Sequence, residues 1–219
     1  MPNIQQTEKN AGHFSLWLRE FVDAMKSGSG MSVPCDGCAS CCTSAYFIHV
    51  SPNDTAALQH IPAELLFPAP GLPEGHFLMG VTEAGACPMF KDGRCQIYEW
   101  RPLTCRQFDC RVLTAVAPVY SPRQRPAVAA AANGFVFKMQ NADDTQQFSA
   151  VQHAATFLRD YRNRFSRDVL PANEEQLALL AIRIRQLFMD DGEAHINVAE
   201  RIAAIESLLS GAVKQIKQG

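Results

Sequence analysis

The 219-residue chain has no cysteine outside residues 35–110. It also lacks any apolar run approaching the ~20 residues that a helix needs to cross a bilayer. The longest mostly apolar stretches, such as residues 126–137, are much shorter. Its amino terminus, MPNIQQTEKNAGHFSLW, has no basic segment leading into an apolar core, so no secretory leader is expected. Charge of one sign is missing too: 20 basic residues face 22 acidic ones, for a formal charge of −2. That excludes the broad basic field that nucleic acids and acidic membranes require. A cytoplasmic protein with neither nucleic acid nor membrane as partner is the expectation. In a reducing compartment clustered cysteines serve as ligands or catalysts more often than as disulfides, which disfavours four disulfides here. No internal repeat or low-complexity tract appears. Hydrophobic content of 47% and charged content of 19% describe an ordinary globular chain, long enough for one large domain or two small ones.

What the chain does have is eight cysteines in two groups. Cys35, Cys38, Cys41 and Cys42 form C-x2-C-x2-C-C; after a gap of 44 residues come Cys87, Cys95, Cys105 and Cys110, spaced C-x7-C-x9-C-x4-C. A two-residue spacer lets two thiolates turn toward one ion, the knuckle geometry of zinc and iron–sulfur sites. All eight are candidate metal ligands. Two four-cysteine zinc sites would use every thiol; one cluster held by four, with the rest structural or redox-active, also fits. The second group has no C-x2-C pair, and this irregularity leans toward iron–sulfur ligation without excluding zinc. Neighbouring side chains on an extended strand diverge, so Cys41 and Cys42 are expected to play different parts.

Phe14, Trp17, Leu18, Phe21 and Met25 repeat at helical spacing, which predicts an amphipathic helix after a frayed tail over residues 1–12. Tyr46 to Val50 suits a short strand, and Ser51-Pro52-Asn53-Asp54 opens a helix, with Asp54 returning a hydrogen bond to the cap. Residues 61–86, with four prolines, read as an irregular connector. Lys91-Asp92-Gly93-Arg94 is a turn that brings Cys87 and Cys95 together. Residues 127–134 fit either a short helix with a glycine stop or a hairpin arm. Apolar stripes predict three further helices from Phe148, Leu177 and Ile202 onward. The expected fold is mainly α with irregular loops: a cysteine-rich metal module with little β structure, packed on a helical bundle. The expected divisions are a tail and helix (1–30), the cysteine domain (31–112), a connector (113–145) and a helical region (146–219).

Four thiolates around a divalent ion leave a net charge near −2, which calls for compensation. Lys91, Arg94, Arg101, Arg106 and Arg111 supply it, and Arg101 and Arg106 flank Cys105 closely enough to donate N–H groups to sulfur. Tyr98 and Trp100 are expected to cover the site from water. His49, the histidine nearest the cysteines in sequence, is expected to be structural.

The combined pattern C-D-G-C-A-S-C-C, then C-P-M-F-K-D-G-R-C-Q-I-Y-E-W-R-P-L-T-C-R-Q-F-D-C, resembles the YkgJ-type cysteine-cluster family, named for chelation of zinc or iron. Asp54 matches that family's Asp near a helix start. Cys95-Gln96-Ile97-Tyr98, Arg101-Pro102 and Cys105-Arg106 match its second half. The likeness covers about residues 33–112. It implies bound iron, as an Fe–S cluster, or zinc, with a possible redox role and an unidentified protein or redox partner. A structural zinc module for protein interaction is the alternative. A flagellin lysine methylase carries a similar cysteine domain, but no glycine-rich strand–turn–helix for a cosubstrate is present here, so modification chemistry rests on analogy.

Overall fold

The computed structural model describes residues 8–31, 33, 38–118, 126–167, 169–189 and 197–216, with side chains through 210. In chain order the elements are strand β1 (Lys9–His13), helix α1 (Phe14–Ser27), β2 (Ile48–Val50), α2 (Thr55–His60), β3 (Leu66–Pro68), β4 (Phe77–Met79), β5 (Phe90–Lys91) and β6 (Arg94–Cys95). They continue with α3 (Leu103–Gln107), α4 (Arg111–Val116), α5 (Pro126–Asn133), β7 (Phe135–Lys138), α6 (Ala142–Asp160), α7 (Glu174–Ile184) and α8 (Val198–Ile216). Short 3-10 turns sit at Ala63–Leu65, Tyr98–Trp100, Arg162–Arg164 and Arg185–Phe188. Helix dominates, as the apolar stripes predict. No helix among the described residues is long and apolar enough to cross a membrane.

The chain divides into two compact units. The first takes Trp17–Cys110 and residues 126–134; the second takes Glu8–Leu16, residues 111–118 and the chain from Phe135 onward. Every described cysteine therefore lies in the first unit.

Within the first unit, β2, β4 and β3 form an antiparallel sheet in that order. Ile48 and Leu66 both pair with Met79, and Val50 and Pro68 both pair with Phe77. One face of this sheet joins Ala57 of α2, Ile61 just past its end and, further along, Met89 and Ile97 in a buried apolar cluster. Period-2 alternation explains the division: Val50 and Met79 point inward, and Phe67 outward. The connector expected to be irregular over 61–86 thus supplies two of the three strands. Its prolines lie at or beyond strand ends, where a missing N–H is tolerated. The other sheet face carries His49, whose Nε2 lies 2.9 Å from Nδ1 of His76. This pair ties β2 to the chain entering β4, the structural role expected of His49.

The second unit corrects the amino-terminal expectation. Lys9–His13 is not a frayed tail; it pairs in parallel with β7. In the first unit, residues 127–134 take the helical alternative: α5 ends at Asn133, with Gly134 as the stop. Phe14 packs edge-on against Phe137 and Phe148. Helices α4, α6 and α7 contact one another, and Arg201 of α8 stacks over Phe188 at 4.2 Å. Asp144, fully buried near the start of α6, accepts hydrogen bonds from the backbone of Ser15 (2.8 Å), the Ser15 hydroxyl (2.7 Å) and the backbone of Gln140 (2.9 Å). Those donors hold its carboxyl down to about 2.

Candidate metal centre

The second cysteine group is built on a hairpin. Phe90 pairs with Cys95 and Lys91 with Arg94, leaving Asp92 and Gly93 as a two-residue turn. Both turn residues have positive φ, 52° and 74°, the left-handed backbone that Asp-Gly accepts in hairpin turns. Cys87 and Cys95 pack against the apolar cluster of the first unit, so the core fixes both. The turn expectation from Lys91-Asp92-Gly93-Arg94 holds.

Cys87 sits at the head of the hairpin, where the Phe90 N–H donates to its carbonyl at 2.9 Å and the Met89 and Phe90 amides favour its ionised form. Burial nevertheless pushes its thiol up, with the nearby Cys95 adding to the rise. The Cys87 backbone N–H donates to the Cys42 carbonyl at 2.7 Å, and the Ala45 N–H to the Gly85 carbonyl at 2.9 Å. These two bonds join the first cysteine group to the second.

Helix α3 brings the next thiol. Burial pushes Cys105 up to about 12, and Cys87, Cys42 and Cys95 reinforce the rise through like charge, while Arg101 opposes it. Cys42, Cys87, Cys95 and Cys105 therefore share one electrostatic neighbourhood, drawn from both sequence groups. Four soft donors that repel each other's ionised forms need a cation before they can all be thiolates. The residues fit a thiophilic metal in this respect. As they stand, no group of three or more Cys, His, Asp or Glu among the described residues is arranged to hold an ion. The remaining cysteines are placed differently: Cys38 is half-buried and donates to the Ser40 hydroxyl at 3.4 Å, Cys41 is exposed, and Cys110 is buried. Cys41 is exposed and Cys42 half-buried, on a turn and not on an extended strand. Cys35 lies outside the described residues. Cys38, Cys87, Cys95 and Cys105 are free thiols, not disulfides.

The placement of α3 rests on Asp54. This buried carboxylate accepts from the Ser51 backbone N–H (2.9 Å) and hydroxyl (2.8 Å), and from the Leu103 N–H, the first amide of α3 (2.7 Å). Arg106 approaches its other side at 3.7 Å. Asp54 returns the expected hydrogen bond to Ser51, but α2 begins at Thr55, after Pro52, and the Ser51 hydroxyl bonds the carboxylate instead of capping a helix. What the sequence reading missed is the second partner. The carboxylate caps a helix 49 residues downstream, a contact with no local signature. On the opposite flank the Met31 N–H donates to the Arg106 carbonyl at 2.8 Å, and Gln107 donates to the Gly28 carbonyl at 3.1 Å. Gly30 abuts Arg106 so closely that a β-carbon there would collide with the arginine's Cβ. The segment leading into the first cysteine group is thus docked on the helix that carries Cys105.

Two expectations need correction. Arg106 does not offer its side chain to sulfur; its Nε donates to the Arg101 carbonyl at 3.1 Å and its head reaches Asp54. Tyr98 and Trp100 are not a shield, for both are exposed: Tyr98 lies under the Arg101 guanidinium, and Trp100 stacks on His60 at 3.8 Å.

Residues 34–124 match the CxxCxxCC family model, described as "Putative zinc- or iron-chelating domain", in agreement with the motif resemblance. No curated protein and no solved structure matches the chain.

Proposed function

We propose that the cysteine domain is a metal-binding module in which Cys42, Cys87, Cys95 and Cys105 form the principal ligand set, holding iron as an Fe–S cluster. The observation that carries this reading is the shared field at Cys105, where thiols from both sequence groups act on one sulfur. A cation would supply the charge these four sulfurs lack, and the Met89 and Phe90 amides favour the ionised form of Cys87 once burial is offset. The irregular spacing of the second group favours a cluster over paired zinc knuckles. Cys35, Cys38, Cys41 and Cys110 then act as further ligands or as redox-active thiols near it. Such a centre fits a cytoplasmic electron-transfer or sensing role with a protein partner.

A structural zinc site is the second reading, and the hairpin favours it. A tight turn whose amides favour a cysteine thiolate suits a single tetrahedral ion. Anaerobic purification of the full chain, with metal analysis and a visible spectrum, separates the two. Iron with sulfide and a visible charge-transfer band supports the cluster. Stoichiometric zinc in a colourless protein supports the alternative. Full metal occupancy in Cys→Ser variants at all four positions would overturn both.

A further inference from the structure

The outer face of the three-stranded sheet holds two histidines that the metal centre does not use. His49 Nε2 and His76 Nδ1 lie 2.9 Å apart, and the rings are 10° from parallel with centroids 5.1 Å apart. Two ring nitrogens at that distance are joined by one proton, which one donates and the other accepts. Neither ring makes a further hydrogen bond or an ion pair, so the second nitrogen of each can take a proton without giving up a partner. Strands β2 and β4 have three residues each, and His76 immediately precedes Phe77, the partner of Val50. The histidine bond therefore extends a short ladder by one side-chain link.

The charges around the pair are few. Strands β2, β3 and β4 contain no Asp, Glu, Lys or Arg. Glu74 on the turn before β4, Glu64 ahead of β3 and Glu83 after β4 are exposed, and so is Tyr46 ahead of β2. Asp54, after β2, is taken by Ser51, Leu103 and Arg106. Helix α3, which contacts β2, carries Arg106 and Cys105, and neither histidine is among the groups acting on that thiol. No carboxylate is paired with either ring.

We propose that His49 and His76 form an acid-sensitive latch between β2 and β4, which holds while the two rings carry two or three protons and opens when they carry four. With two, a neutral imidazole donates to a neutral imidazole. With three, an imidazolium donates to its neutral partner, a charge-assisted bond that is stronger. With four, N–H faces N–H, both rings are positive, and no acceptor is left. Histidine changes charge between pH 5 and 8, so ordinary acidification drives this sequence. In the unfolded chain the rings are apart and meet no such conflict, so the latch stabilises at neutral pH and its contribution is lost as pH falls. The effect reaches beyond the sheet's edge, because Val50 and Met79 on the inner face belong to the cluster against which Cys87 and Cys95 pack. This inference does not depend on which metal, if any, those cysteines hold.

The test is a double-mutant cycle on the reduced full-length chain: unsubstituted, His49→Ala, His76→Ala and the double variant, unfolded in urea at pH 7.5 and at pH 5. Both tryptophans lie in this unit and report its unfolding by fluorescence. Acid effects from groups outside the pair are common to all four proteins and cancel in the cycle. At pH 7.5 the coupling between the two positions should amount to about 5-fold in the unfolding constant, the worth of one hydrogen bond. At pH 5 it should vanish or reverse sign. No coupling at pH 7.5, or the same coupling at both values, would overturn the proposal. Should the variants fail to fold, hydrogen exchange of the unsubstituted chain carries the test, corrected for the intrinsic pH dependence of exchange. Peptides containing β2 and β4 should then open more at pH 5 than at pH 7.5 relative to α6, and equal protection at both values would overturn it.

Discussion

Replacing Asp54 by alanine removes the acceptor for two backbone N–H groups, those of Ser51 and Leu103, and for the Ser51 hydroxyl. A partly buried donor stripped of its acceptor costs about 1–1.5 kcal/mol, at the lower end of the usual range. The ion pair with Arg106 adds little, at most about 1 kcal/mol, because the arginine side chain is 45% exposed. Asp54→Ala should therefore destabilise the first unit by about 3 kcal/mol. Asp54→Asn, which keeps one acceptor oxygen, should cost about half of that. Both tryptophans of the chain, Trp17 and Trp100, lie in this unit. Intrinsic fluorescence during urea unfolding of reduced, metal-free protein thus reports it selectively. With a slope of about 2 kcal/mol per molar urea, the alanine midpoint should fall by about 1.5 M. The pH dependence gives a second reading. Burial pushes the Asp54 carboxyl up, but the Ser51 and Leu103 amides, the Ser51 hydroxyl and Arg106 outweigh it and hold it below its ordinary 3.8. A carboxylate depressed in the folded state stabilises above its unfolded pKa, and that contribution is lost as pH falls through the folded value. The acid limb of the fluorescence stability curve should flatten in Asp54→Asn. A loss below about 1 kcal/mol in Asp54→Ala would refute the role assigned to this carboxylate.

Gly30→Ala should destabilise the same unit by about 1–3 kcal/mol, because the obstructing Arg106 Cβ is fixed to backbone and cannot rotate away; urea midpoints check this, and an unchanged midpoint would contradict the close docking. In the second unit, Asp144→Asn should remove an acid-sensitive contribution. The Ser15 and Gln140 donors depress the native carboxyl to about 2, so the helical circular dichroism of the native chain should weaken as pH falls from 4 toward 2 through a transition that Asp144→Asn lacks. In metal-free protein at pH 8, iodoacetamide should label exposed Cys41 well before half-buried Cys105, whose thiol is pushed up to about 12; peptide mass spectrometry gives the order, and early labelling of Cys105 would count against that protection.

Much of the candidate centre could be read before the fold. Cysteine spacing survives as a signal because ligand chemistry constrains it directly, and Asp92-Gly93 announces a hairpin because few residues accept two left-handed positions. The apolar stripes likewise found the carboxy-terminal helices. The missed features are those made by distant partners. Lys9-Asn10-Ala11-Gly12-His13 has no strand-like alternation, and its pairing with β7 comes from tertiary contact across some 125 positions. The separate fates of Arg101 and Arg106 were equally hidden. Both flank Cys105 in sequence, and only the fold shows that Asp54 captures one and Tyr98 the other.

The hydrogen bond from the Cys87 amide to the Cys42 carbonyl has an entropic consequence. These two residues are separated by 44 others, and bringing the ends of such a flexible segment together costs about 3 kcal/mol in loop closure. Here the three-stranded sheet and its apolar cluster have already closed that loop through backbone contacts. An ion bound as proposed above would not have to gather the two cysteine groups from an open chain, because the backbone has already brought Cys42 and Cys87 together. If the four proposed cysteines hold that ion, its affinity would depend on how well its radius and preferred angles suit sulfurs carried on this scaffold, and discrimination between metals would be a property of the fold.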